Sequence, residues 1–250
     1  VTSLIESLLA LLTVPLLGIG VGSPGIVDLA GVVVSAPNLE WVGVPLQAAL
    51  FERFGAPVVV ANDANAAVLA EHSFGGVEGD LMPVQVGRGV GAALLLGGIL
   101  LHGSRFAAGE IGHVAVGRDG GELCGCGTLG CLETWLAAPR LEAKLADAAQ
   151  DAAQDATPAA PGDSILREAN TRLGIVLARI VGALNLSEVV LSGPKRLLAG
   201  SLVEATRGTL RSHTMERFHG SLALRLSTLG DDIVLRGAAV RVISSRLGVS

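Results

Sequence analysis

The chain has 250 residues, half of them apolar and 16% charged, with a net charge of -5 at pH 7. That length is enough for one large core or two modest ones, since domains run to roughly 100–200 residues, and so apolar a chain with so small a net charge is not a disordered one. Lys and Arg are scattered, with no basic block denser than Pro194-Lys195-Arg196, which excludes a nucleic-acid surface on this chain by itself.

Ser3 with Glu6 is a capping-box pattern, and it predicts an apolar helix from Leu4 to about Leu12. The longest apolar stretch, Leu8 to Gly22, is interrupted by Pro15 and falls short of the ~20 residues a bilayer requires. It reads as helix, turn and a buried strand from Leu16 to Val21, and no basic segment precedes it to suggest a signal peptide. Gly22 to Gly25 is a turn and Gly31 to Ser35 a short strand. Leu46 to Phe54 has helical spacing, and Pro57 to Ala61 is a compact β run that delivers Asn62 and Asp63 to its carboxyl end, where open α/β sheets gather ligands.

Ala64 to about Phe74 is helical again, with Asp63 placed to cap it. Val84 to Val86, Gly91 to Leu96 and Ile99 to Leu101 read as strands, and Gly97-Gly98 suits a primed hairpin turn between the last two. A helix is expected from about Thr134 to Gln150, followed by a low-complexity stretch, Asp147 to Pro161, whose second half is a surface loop. Ile165 to Leu184 carries an amphipathic stripe, Glu188 to Leu191 is a strand, Ser192 to Pro194 a turn, and Arg236 to Leu247 a closing helix. His72, His213 and His219 fit surface or capping roles, the last two in a polar stretch between helices; Trp41 and Trp135 fit core packing.

All three cysteines, Cys124, Cys126 and Cys131, lie in one Gly-rich loop. Small buried hydrophobes would not gather there, and redox chemistry would favour CxxC and an even count. Three thiols without an export signal instead point to a reducing, cytoplasmic setting and a metal. His113, upstream across a turn at Gly117 to Gly121, supplies a fourth ligand, so the reading is a closed, structural Zn²⁺ site of His113, Cys124, Cys126 and Cys131. Glu110 and Glu133 flank these ligands. Carboxylates beside an imidazole whose tautomer a metal fixes suit a polyhydroxylated small molecule.

The order PGIVD (Pro24 to Asp28), APNLEW (Ala36 to Trp41), VANDANAAVLAE (Val60 to Glu71), GRGVGAALLLGGILLHG (Gly87 to Gly103), GEIGH (Gly109 to His113) and CGCGTLGCLE (Cys124 to Glu133) resembles the ROK family of bacterial sugar kinases and sugar-responsive repressors, most of all its regulator branch. The resemblance implies an α/β, actin-like (RNase H-like) two-lobed fold with sugar in the cleft, held by Asn62, Asp63, Glu110, His113, Glu133 and Gly25. It implies a first lobe of residues 1–63, incomplete at its N-terminus and joined by the terminal helix 236–250, and a second lobe of 64–235 with the zinc loop and a dimer surface.

In kinases of the family the aspartate in the place of Asp63 is a general base toward ATP, with Mg²⁺ present. Here the family's DxGGT hairpin is not found, Gly87-Arg88-Gly89 stands for GTG, and Ser192-Gly193-Pro194 replaces consecutive glycines. The expectation is therefore the effector domain of a regulator that has lost catalysis, homodimeric, off the membrane, and reaching DNA only through an upstream helix-turn-helix. An ATP-dependent hexose or N-acetylhexosamine kinase is the alternative.

Overall fold

The computed structural model describes residues 1–77, 79–117, 121–155, 161–198 and 201–248. Helix α1 (Thr2–Leu9) starts earlier than its pattern suggests and the capping box does not form. Val1 occupies the N-cap position, and Ser7 Oγ donates back to Ser3 O at 3.0 Å. Strand β1 (Ile19–Ser23) begins where Ile19 N meets Pro57 O. After it, β2 (Ile26–Val27), β3 (Val33–Ala36) and β4 (Trp41–Val44) form a three-stranded antiparallel sheet.

Helix α2 (Leu46–Phe54) has the bounds its spacing predicts and stops at Gly55, which takes the left-handed conformation at φ 62°. Strand β5 (Val58–Asn62) pairs in parallel with β1, setting Ser23 against Asn62. Helix α3 (Asp63–Phe74) follows at once. Its cap is Asn62, whose side chain accepts from Asn65 N at 2.9 Å, and not the expected Asp63.

A six-stranded sheet is built on β6 (Leu81–Val86), which pairs with β7 (Val90–Ala92) and β8 (Leu95–Leu96), β8 in turn pairing with β9 (Ile99–Leu100). The single strand expected over Gly91 to Leu96 is divided because Pro83 lies opposite Ala93: Pro83 O accepts from Ala93 N, but proline has no N–H to return. Gly97 and Gly98 both have positive φ, 56° and 77°, as the primed turn requires.

The expected helix over Thr134 to Gln150 is two helices, α4 (Leu132–Leu136) and α5 (Ala138–Asp155). Ala137 between them is extended (ψ 132°), and Pro139 sits in the first turn of α5, where its missing N–H costs nothing. The later part of the expected surface loop, 156–160, lies outside the described residues. Helix α6 (Pro161–Leu184) begins a turn before its predicted start and leads to β10 (Glu188–Ser192), parallel to β6.

Four further elements, α7 (Lys195–Leu198), α8 (Ser201–His213), α9 (Glu216–His219) and β11 (Ala223–Leu226), lie between β10 and the last helix, and the expected polar stretch around His213 and His219 falls among them. His213 therefore ends a helix, with Nδ1 2.9 Å from Thr209 O. Helix α10 (Ile233–Leu247) closes the chain, one turn longer than predicted.

The central strands are buried on both faces, and successive residues join opposite cores. Met82, Val84, Val86, Val189 and Leu191 join Leu173 and Leu177 of α6 in the larger core, while Leu81 and Val190 join Ala64 and Val68 of α3. The large sheet is thus a middle layer between α6 and α3. Val27, Val33, Leu50, Val58 and Val60 form a smaller core under the first two sheets. Helix α3 shows its small side chains, Ala66, Ala67 and Ala70, to α10, which also contacts β1 and β5. At the crossing a Cβ on Gly237 would collide with Ala66 O.

Gly237→Ala should therefore destabilise the protein by about 1–3 kcal/mol in urea unfolding, the usual cost of overpacking. Gly208→Ala, in α8 with open space around its Cβ position, should gain up to about 1 kcal/mol.

Candidate functional site

The Gly109 to His113 run lies hard against β7. Ala92 N donates to Gly109 O at 3.0 Å, Gly109 has φ 94°, and a Cβ there or on Gly112 would strike the backbone of Ala92 or Val90. Ile111–His113 is a turn of 3-10 helix, after which the chain extends and pairs with the far end of the cysteine loop. Val116 N donates to Gly130 O and Leu132 N to Val114 O, both at 2.9 Å, with Ala115 opposite Cys131. The expected turn at Gly117 to Gly121 falls largely on 118–120, outside the described residues; the pairing itself returns the loop to His113.

Within the loop Cys124 N donates to Thr128 O, Gly127 N to Cys124 O and Gly130 N to Glu122 O, while Gly127 and Gly130 take φ of 84° and 72°. One ligand atom from each of His113, Cys124, Cys126 and Cys131 lies within 4.8 Å of all the others. His113 Nδ1 is 3.5 Å from Cys124 Sγ, and the sulfurs of Cys126 and Cys131 are 3.6 Å apart. Metal–ligand bonds of about 2.0–2.3 Å in a tetrahedron set ligand atoms about 3.5–3.8 Å from one another, so this group can hold a metal ion. The three thiols are unlike. The Thr128 backbone N–H pulls Cys126 down to about 6, burial pushes Cys131 up to about 12, and burial also raises Cys124.

Glu133, in the first turn of α4, accepts from Val90 N through Oε2 at 3.2 Å and approaches Cys124 Sγ through Oε1 at 3.7 Å. A Cβ on Gly89 would come within 2.5 Å of the same Oε2, so a side chain there would make the carboxylate shift from its place on Val90 N. From the other side, Asn62 Nδ2 donates to Gly25 O at 2.8 Å, and Asp63 Oδ1 accepts from Ala64 N at 2.8 Å. Gly25, at φ 83°, is pressed onto Ser35 O.

Burial raises Glu110, the nearby His113 opposes the rise, and the charges of Asp63 and Glu133 add to it. Burial raises Asp63 as well, against the hydrogen bond from Ala64 N. The structure thus brings Asp63, His113 and Glu133 within electrostatic reach of Glu110, with Asn62 and Gly25 tied together beside Asp63.

The two loops that depart from the kinase pattern end adjacent strands. Gly87 O accepts from Ala138 N at 2.8 Å beneath the exposed Arg88, and Gly193 (φ 146°) leaves no room for a side chain against Val86 O. A 580 Å³ surface groove lies elsewhere, along α6 from Asp163 to Ile175. Trp41 packs on the smaller core and Trp135 is buried, as expected. His72 is exposed near the end of α3; the His219 side chain lies outside the described residues. Among the described residues no helix is long and apolar enough to cross a membrane.

Two α/β units with helices α3 and α10 crossing beside an acidic cluster are an actin-like, sugar-kinase type of fold. The ROK family model matches residues 1–244, and the chain belongs to that family. It is 32% identical over 256 residues to a xylose repressor of Caldicellulosiruptor bescii, covering 93% of this chain and 64% of the repressor. It is also 32% identical over 241 residues to a glucokinase of Halalkalibacterium halodurans, covering 87% of this chain and 73% of that enzyme. A ROK family glucokinase from Streptomyces griseus, solved with glucose and AMPPNP, superposes with a TM-score of 0.75 at 27% identity over 95% of this chain and 86% of its own. The chain therefore spans under two thirds of the repressor's length.

Because burial makes Asp63 harder to ionise when folded, the unfolded state gives up this proton at lower pH, and stability from this group declines as pH rises from the ordinary value of 3.8 through the raised folded value. Asp63→Asn should be more stable than wild type at pH 7 by chemical denaturation, with the advantage fading toward pH 3.8. It should also move Glu110 titration to lower pH, since one repelling charge is gone.

Proposed function

We propose that this chain is the sugar-binding effector portion of a ROK transcriptional regulator, with Zn²⁺ held by His113, Cys124, Cys126 and Cys131 as the support of its sugar site. One observation carries the reading: His113 belongs to the cysteine group, its Nδ1 facing Cys124 Sγ, and also lies within electrostatic reach of Glu110, which in turn feels Asp63 and Glu133. Zinc, when bound, neutralises the thiolates and fixes the imidazole tautomer. Nε2–H of His113 is then an oriented donor, and Glu110, Glu133, Asp63 and Asn62 accept from or donate to sugar hydroxyls, with Gly25 O holding Asn62 in position.

Residues 1–63 with 236–250, and 64–235, are the two lobes, and sugar acts by favouring one arrangement of them over another. A dimer, a cytoplasmic setting, and DNA contact through a helix-turn-helix elsewhere in a longer polypeptide complete the reading. Arg88 and Pro194 favour a regulator over an enzyme. A guanidinium replaces a small hydroxyl where the kinases place phosphate, and Pro194 stiffens a turn that Gly193 already holds against Val86. The kinase reading is supported by the half-buried Asp63, whose raised basicity suits a general base acting with ATP and Mg²⁺, beside the similarity to glucokinases.

A thermal-shift panel of xylose, glucose and N-acetylglucosamine on zinc-loaded protein tests both. A sugar present at ~100 times its Kd adds ~2.7 kcal/mol of apparent stability, a rise of several degrees that chelation should abolish. No shift with any sugar defeats the proposal. ADP release that depends on a sugar and is lost in Asp63→Asn replaces the regulator with the kinase.

A further inference from the structure

Trp135 lies on α4, just beyond Glu133, and is nine-tenths buried. Two cations face its ring: the Arg172 guanidinium at 3.6 Å from the ring centroid and Lys144 Nζ at 4.7 Å. Arg172 comes from α6, and its Nη1 donates to Val116 O at 3.3 Å, while Nη2 reaches Glu168 at 2.6 Å. Its Nε is buried and has no partner, so the plane of the guanidinium is set by the ring face and not by a full complement of hydrogen bonds. Lys144 carries the arrangement outward, pairing with Glu122 at 2.9 Å on the entering leg of the cysteine loop and donating to Thr134 O.

We infer that Arg172 is a positioning residue for the metal loop: stacked on Trp135 and bonded to Val116, one guanidinium fastens both chain segments that bring His113 and Cys131 together, and Glu133 with them. Val116 belongs to the segment leaving His113, and Trp135 to α4, the helix that directly follows Cys131. A side chain at Gly117 would come within 2.6 Å of Arg172 Nη1, so the residue after Val116 is small where the guanidinium passes. The fastening uses no metal ligand. It holds the loop in register before an ion arrives and slows its opening afterwards. The inference rests on the reading of this loop as a metal site only for its second consequence; the first concerns backbone alone.

The test is hydrogen exchange on the full chain after treatment with a chelator, following the amides of Val116, Gly130 and Leu132, all bonded within the loop pairing. Arg172→Met and Gly117→Ala, the latter displacing the guanidinium without removing its charge, should each speed these amides about tenfold, as loss of a desolvated cation–π contact predicts. Arg172→Lys should recover part of the protection. Glu168→Gln, on the solvent side of Arg172, should change little.

In a Trp41→Phe background, Trp135 is the sole tryptophan. Its emission should change in Arg172→Met and Gly117→Ala, a response that general loosening elsewhere would not give. On zinc-loaded protein the same two variants should release metal to a chelating dye several times faster. The inference is overturned if loop amides stay within twofold of wild type in both variants. It is overturned equally if amides of Met82 and Val84 in the central strand accelerate by the same factor, because Arg172 would then support the whole fold. Wild-type protein that carries no metal removes the zinc reading and leaves the exchange result to decide this one.

Discussion

Two backbone hydrogen bonds, from Val116 N to Gly130 O and from Leu132 N to Val114 O, bring His113 and the cysteine loop face to face. His113 and the cysteines lie on separate segments, and the intervening chain is rich in glycine, so its closure carries an entropic cost. The cost is offset at several places. Gly109 and Gly112 let the His113 segment rest directly on β7, and Glu133 reaches back to Val90 N on the same strand. The sheet therefore sets the position of the loop from below, and the acidic groups take their places relative to a rigid β7.

The helix over Leu46–Phe54, the strand before Asn62 and the Gly97-Gly98 turn could be read from sequence because each is decided locally, by spacing or by a backbone conformation that one residue type favours. The His113, Cys124, Cys126 and Cys131 group was legible for a similar reason: few residue types can ligate, and four of them converge within 4.8 Å. What sequence could not supply depends on partners far along the chain. Pro83 is plain to see, but its effect on Ala93 follows only once the two strands are paired. The α8–β11 stretch is recognisable only by its docking, α8 on α6 and β11 beside β10.

The acidic cluster sits between these cases. Asp63 and Glu133 were singled out from their neighbours in sequence, yet the exchange of capping duty from Asp63 to Asn62 turns on whose side chain reaches Asn65 N. That exchange matters chemically. With Asn62 serving the helix terminus, the carboxylate of Asp63 stays among Glu110 and Glu133, and burial with mutual repulsion raises Glu110. Arg172 gave no signal at all before folding, since an arginine in a long helix is ordinary until its plane is seen against a tryptophan ring.

The crossing of α10 over α3 at Gly237 also bears on biosynthesis. The alanine face of α3 is synthesised well before α10, the helix that covers it. The alanine face of α3 therefore stays uncovered until the segments that separate it from α10 have also been made.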